Sequence, residues 1–113
     1  MNELLDTKTG IDLTDGDTDL YKELLNYFVS DTEFDVKKLN DLILESKEQA
    51  AGYVHKVKGA ARQIAAAPLA AKGQEIEDIL RGKAEGNLAP LINGFCALYK
   101  DTLKTVNAYL KSE

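Results

Sequence analysis

The chain holds a single cysteine, Cys96, so no internal disulfide can form. With a single histidine, His55, it also lacks any Cys/His cluster of metal-ligand spacing. It has no tryptophan and only two prolines, Pro68 and Pro90. The longest apolar run, residues 64–71, is eight residues with a proline inside, far short of a membrane span. The N-terminus has acids and no basic-then-apolar pattern, so no secretory signal is visible. No window alternates with period two over the length of a strand, and no repeat or low-complexity tract occurs. These absences exclude a disulfide scaffold, a membrane-spanning protein and a sheet protein. They predict an all-α chain of the reducing cytoplasm.

What is present fits one globular domain over residues 1–113, with residues 1–10 as a polar lead-in. Hydrophobic content of 44% and charged content of 29% argue against disorder. The net charge of −5 hides an asymmetry: residues 1–35 carry ten acids and two bases (−8), residues 36–113 nine acids and twelve bases (+3). No acid occurs between Glu48 and Glu75, whereas Lys56, Lys58, Arg62 and Lys72 all fall there. Four bases form no phosphate-tracking stripe, so neither a nucleic acid nor a membrane is the expected partner. An acidic protein pocket matches better.

That basic zone surrounds the histidine. Across residues 47–64 the apolar positions Ala50, Tyr53, Val54, Val57, Ala60, Ala61 and Ile64 are spaced by three and four, as in an amphipathic helix. At about 100° per residue with Val57 at zero, they stay within about 60° of one direction, and His55 points about 160° away, into solvent. Ala51, Gly52 and Gly59 surround it on the wheel, while Lys58 and Arg62 follow it on the same stripe. A glycine inside a helix costs about 1 kcal/mol relative to alanine, so two beside one imidazole suggest cleared access for a large partner. The lysine and arginine add positive charge where an anionic group would arrive.

The remaining pattern predicts further helices. There is room for a short one at residues 2–6. Asp17 or Thr18 can cap a helix with Leu20, Leu24, Leu25 and Phe28. A second runs over about 33–45, and Ser46 caps the histidine helix, with Gln49 completing a capping box. A fourth spans about 68–81 with Pro68 in its first turn, and Asn87 caps a long last helix. Short connections imply an up-and-down antiparallel four-helix bundle with an additional N-terminal helix. The 33–45, histidine, 68–81 and last helices are expected as walls, with the helix from Asp17 across one end. Cys96, beside Phe95, reads as a small buried hydrophobe.

The run His55-Lys56-Val57-Lys58-Gly59-Ala60-Ala61, followed by Ile64 and Leu69, resembles the histidine-containing phosphotransfer (HPt) domain. That family carries lysine and glycine three and four positions after its histidine. The likeness extends to the upstream Leu20-Tyr21, Leu24-Leu25 and Phe28 pattern and the last helix, roughly residues 10–112. It implies a phosphorelay carrier without kinase activity of its own. His55 would accept a phosphoryl group from the aspartyl phosphate of one receiver domain and pass it to the aspartate of another. The receivers belong to response regulators or hybrid histidine kinases. Lys58 and Gly59 match the positions that meet the phosphoryl group and admit the receiver, and Arg62 is a further candidate contact. No cofactor is implied, since any Mg²⁺ would come with the receiver. A monomer is expected.

Two positions depart from the family pattern. Ala65 stands where many members carry glycine, and Glu77 where some carry a glutamine bonded to the imidazole. A carboxylate there could orient the ring but would repel a phosphoryl group held too close. Tyr21, Phe34 and Ile11 are candidates for apolar docking. The starting methionine favours a free-standing protein, while an origin as a piece of a hybrid or chemotaxis kinase stays open. Two rival readings remain: a structural helical adaptor with an idle histidine, and a hydrolase using His55 as base with Glu77. Glu75, Glu77 and Asp78 beside one histidine make a weak metal set.

Overall fold

The computed structural model describes residues 4–112 and contains no strand among them. Its helices are α1 (Thr7–Leu13), α2 (Thr18–Asp31), α3 (Val36–Glu45), α4 (Lys47–Gln63), α5 (Ala67–Leu80) and α6 (Leu88–Ser112). Short polar side chains set most starts by accepting a bond from an otherwise orphaned backbone N–H. Asp6, Asp17, Asp35 and Ser46 cap α1 to α4 in this way. The capping box at α4 is only half formed. Gln49 N donates to Ser46 Oγ, but the Ser46 N–H closes the end of α3 on Leu42 O, leaving nothing for Gln49 to satisfy.

The N-terminal helix lies later than expected. Residues 2 and 3 of the expected 2–6 segment lie outside the described residues, and Asp6 serves as the cap of a helix that starts at Thr7. Helix α1 is held by the close approach of Gly10 to the Tyr21 ring, where a Cβ would collide, and by the bond from Asp6 N to Ala65 O.

The wall assignment also changes. Instead of crossing one end, α2 lies lengthwise and antiparallel to α6: Tyr21 meets Tyr109 edge-on and Phe28 meets Tyr99. Tyr21, Leu25 and Phe28 are fully buried, each worth about 1.5–3 kcal/mol of transfer free energy. Helix α2 touches α4 and α6, α5 joins those two on the other side, and α3 packs against α4. The sequence pattern marked the apolar stripe of α2 but not what it faced.

Tyr21 is therefore no docking residue; its hydroxyl donates to Ile64 O inside the core. Phe34 is half-buried, edge-on to Phe95 at 4.9 Å and stacked near Tyr53, and Ile11 packs against the core. Cys96 is only half-buried and not the buried hydrophobe expected.

Helix α4 ends in a tight reversal. Ala65 adopts φ +61°, Ala66 N donates back to Ala61 O, and Ala65 N to Arg62 O. This is the paired 6→1 and 5→2 pattern in which a left-handed residue usually is glycine. The turn sends α5 back along α4, which sets the candidate site.

Candidate functional site

His55 sits in the middle of α4 with 59% of its side chain exposed. The buried residues of α4 are Ala50, Ala51, Val54, Val57, Lys58 and Ala61. On the wheel they centre about 60° from Val57 towards Lys58, a rotation of the inward face from that expected. The cause is α5, which packs closely along that flank and extends the buried arc. Two placements change. Ala51 lies in the core and not beside an open imidazole, and Lys58 is buried. His55 now stands at the margin of the arc, where it reaches α5.

There it meets Glu77. His55 Nδ1 is 3.2 and 3.1 Å from Glu77 Oε1 and Oε2. Lys58 Nζ donates to Glu77 Oε1 at 2.7 Å, and Arg81 Nε donates to Oε2 at 2.9 Å. Burial pushes the Glu77 carboxyl up. The bonds from Lys58, Arg81 and His55 outweigh it and bring the group down to about 2. Glu77 is thus an anion at neutral pH. Because a carboxylate only accepts, Nδ1 is the nitrogen that donates, so in the neutral ring the free lone pair is on Nε2.

Lys58, expected on the histidine's open stripe as a contact for the phosphoryl group or receiver, is instead turned inward. Its side chain is 5% exposed, with Nζ shared between Glu77 Oε1 and Gln74 Oε1, the latter at 2.9 Å. Gly73 makes room for its stem, since a Cβ there would lie 3.3 Å from Lys58 Cβ and 3.2 Å from Phe95 Cε1. Arg62 is exposed and donates one Nη2 bond to Gln74 Oε1 at 3.2 Å; Gln74 Nε2 in turn donates to Asp78 Oδ1. A continuous polar strip therefore joins α4 to α5, from Arg62 through Gln74 and Lys58 to Glu77, His55 and Arg81.

Arg81, Gln74 and Gly73 escaped the sequence reading. The i,i+4 spacing of Glu77 and Arg81 was the available signal for the first. Nothing short of the α4–α5 pairing identifies the other two. Gly52 and Gly59, by contrast, face open space: a Cβ at either would meet nothing within 4 Å. Packing does not explain them. Glu75, Glu77, Asp78 and His55 do not gather as a cation site, and no such group occurs among the described residues. The arrangement presents one nucleophilic nitrogen on an open surface, backed by an anion and two cations.

No helix among the described residues is long and apolar enough to cross a membrane. Residues 23–109, well over half the chain, match the family model of the Hpt domain. No curated protein and no solved structure matches the chain.

Proposed function

The chain belongs to the Hpt domain family, whose members serve histidine phosphotransfer in phosphorelays, and from that premise we propose that His55 carries the phosphoryl group between receiver-domain aspartates. The observation that carries this reading is the pairing of Glu77 with Nδ1 of a side chain that stays 59% exposed, which makes Nε2 the nitrogen with the free lone pair in the neutral ring. Nε2 attacks the phosphorus of the receiver's aspartyl phosphate in line. The P–N bond forms as the P–O bond breaks, and the electron pair returns to the aspartate. Positive charge appears on the ring as Nε2 bonds, and the carboxylate behind Nδ1 balances it.

Phosphoryl transfer asks chiefly for positioning and charge neutralisation. In this reading Lys58 acts through Glu77, locking the carboxylate that aims the ring. Arg62, exposed two turns beyond His55, meets the receiver. Close by, a mainly apolar groove of about 370 Å³, whose lining includes Leu13, Arg62, Ala65, Ala70 and Ala71 with Asp6 at its edge, offers surface for the docked partner. Gly52 and Gly59 leave the approach to Nε2 clear. Mg²⁺ belongs to the receiver, and the chain acts as a monomeric carrier with no kinase activity of its own.

The test is incubation with phosphorylated receivers, followed by assay for an acid-labile, alkali-stable phosphoryl group. Labelling of the intact chain and none of His55→Gln is expected. Labelling that survives His55→Gln sinks the reading, and no transfer across many receivers favours an adaptor with an idle histidine.

A further inference from the structure

Where a glutamine would be neutral, this chain sets a buried anion against the reacting ring. We infer that Glu77 keeps Nδ1 of His55 protonated after phosphorylation, so that the chain holds its phosphoryl group in the readily discharged form at neutral pH. The inference rests on the phosphocarrier reading and concerns how long the carried group survives.

The chemistry turns on the leaving group. When phospho-His55 discharges, the P–N bond breaks and its electron pair returns to Nε2. An oxygen of water, or of a receiver carboxylate, bonds to phosphorus, and the proton of an attacking water passes to solvent. If Nδ1 is protonated, the ring leaves as neutral imidazole. If it is not, the ring must leave as imidazolate, a far poorer leaving group. Whatever holds that proton therefore sets the lifetime of the phosphoryl group.

The geometry assigns that task to Glu77. Both its oxygens lie within 3.2 Å of Nδ1, and its side chain is only 7% exposed, so water screens the contact weakly. Other charges bear on the ring. On α4 these are Lys58, with exposed Lys56 and Arg62 further off; on α5 they are Arg81, with Asp78 held by Gln74. From α3, Lys38 lies over the Tyr53 ring, two residues before His55. Lys58 and Arg81 fix the carboxylate but also draw on its charge. Removing Glu77 and removing Arg81 should therefore act in opposite directions. Lys58 still pins Oε1 when Arg81 is gone, which keeps Glu77 in place.

The experiment loads His55 with phosphoramidate, a small P–N donor that needs no receiver, and follows discharge in buffer from pH 5 to 10 by phosphorus NMR. Discharge slows as pH rises, and the midpoint of that fall is the readout. With Glu77→Gln the midpoint is expected at least about one pH unit lower, with discharge at pH 8 slower by up to about tenfold. With Arg81→Gln it is expected higher. An unchanged or higher midpoint for Glu77→Gln overturns the inference, as does a shift of both variants in the same direction. Failure of loaded wild-type chain to discharge onto any receiver would instead count against the phosphocarrier reading, and it is scored separately.

Discussion

Lys58 Nζ and Glu77 Oε1 lie 2.7 Å apart with both side chains shielded from solvent, 5% and 7% exposed. Among the ion pairs given for the described residues, this is the one in which both side chains are less than a tenth exposed. Breaking a buried pair from one side leaves the other charge uncompensated, at about 3–5 kcal/mol. Here Arg81 and His55 still hold the carboxylate, so Lys58→Met is expected to cost about 2–3 kcal/mol in urea unfolding. Adding Glu77→Gln should recover part of that loss. A double variant no more stable than Lys58→Met would mean the two residues do not act as a pair.

The acid side of the stability profile follows from the same carboxylate. The Glu77 group is lowered in the folded chain from 4.5 to about 2. A lowered folded value favours the native state above the unfolded value, and that contribution disappears as pH falls through the folded one. The margin of wild type over Glu77→Gln should therefore be full above about pH 4.5 and shrink steadily towards pH 2. It is of the order of 2–3 kcal/mol, with each pH unit worth about 1.4 kcal/mol. A margin constant from pH 6 to pH 2, measured by urea unfolding at each pH, would remove Glu77 as its source.

The helices were legible because apolar spacing and capping residues act locally. Asp17, Ser46 and Pro68 stand where their chemistry predicts. The histidine's partial exposure was legible for the same reason, but the wheel set it opposite the core and could not show its reach to Glu77 on α5. Lys58 was misread because a wheel treats every polar residue as outward and cannot see the neighbouring helix that buries it. Its burial requires Gly73 and Gln74 on α5, residues with no relation to it until the chain reverses at Ala65. Arg81 was missed although its spacing from Glu77 was visible, because such pairs on exposed helices are usually weak.

The reversal itself offers a stability test. Ala65 holds φ +61°, which costs a residue with a Cβ roughly 1–2 kcal/mol relative to glycine. Glycine gives back part of that through the greater freedom of the unfolded chain. Ala65→Gly is therefore expected to stabilise by about 0.5–1 kcal/mol, raising the melting temperature by a few degrees. Labelling of His55 by phosphoramidate should be unaffected, because the turn lies ten residues beyond His55. A fall in melting temperature would mean the left-handed turn is absent in solution.

Gly59 separates folding from docking. It lies inside α4 with open space where a Cβ would stand, so nothing in the folded chain requires glycine there. Gly59→Ala should stabilise the helix by about 0.5–1 kcal/mol. Gly59→Gln should fold as well as wild type, with a long side chain one turn from His55 on the face a receiver must approach. A small donor such as phosphoramidate passes that side chain, whereas a receiver cannot. Labelling by phosphoramidate should therefore stay within about twofold of wild type while transfer from a phosphorylated receiver slows by about tenfold or more, a loss of about 1.4 kcal/mol in docked transition-state stabilisation. Equal slowing with both donors would point to a disturbed histidine, and unchanged transfer from the receiver would mean that the partner approaches from the Arg81 side of the ring.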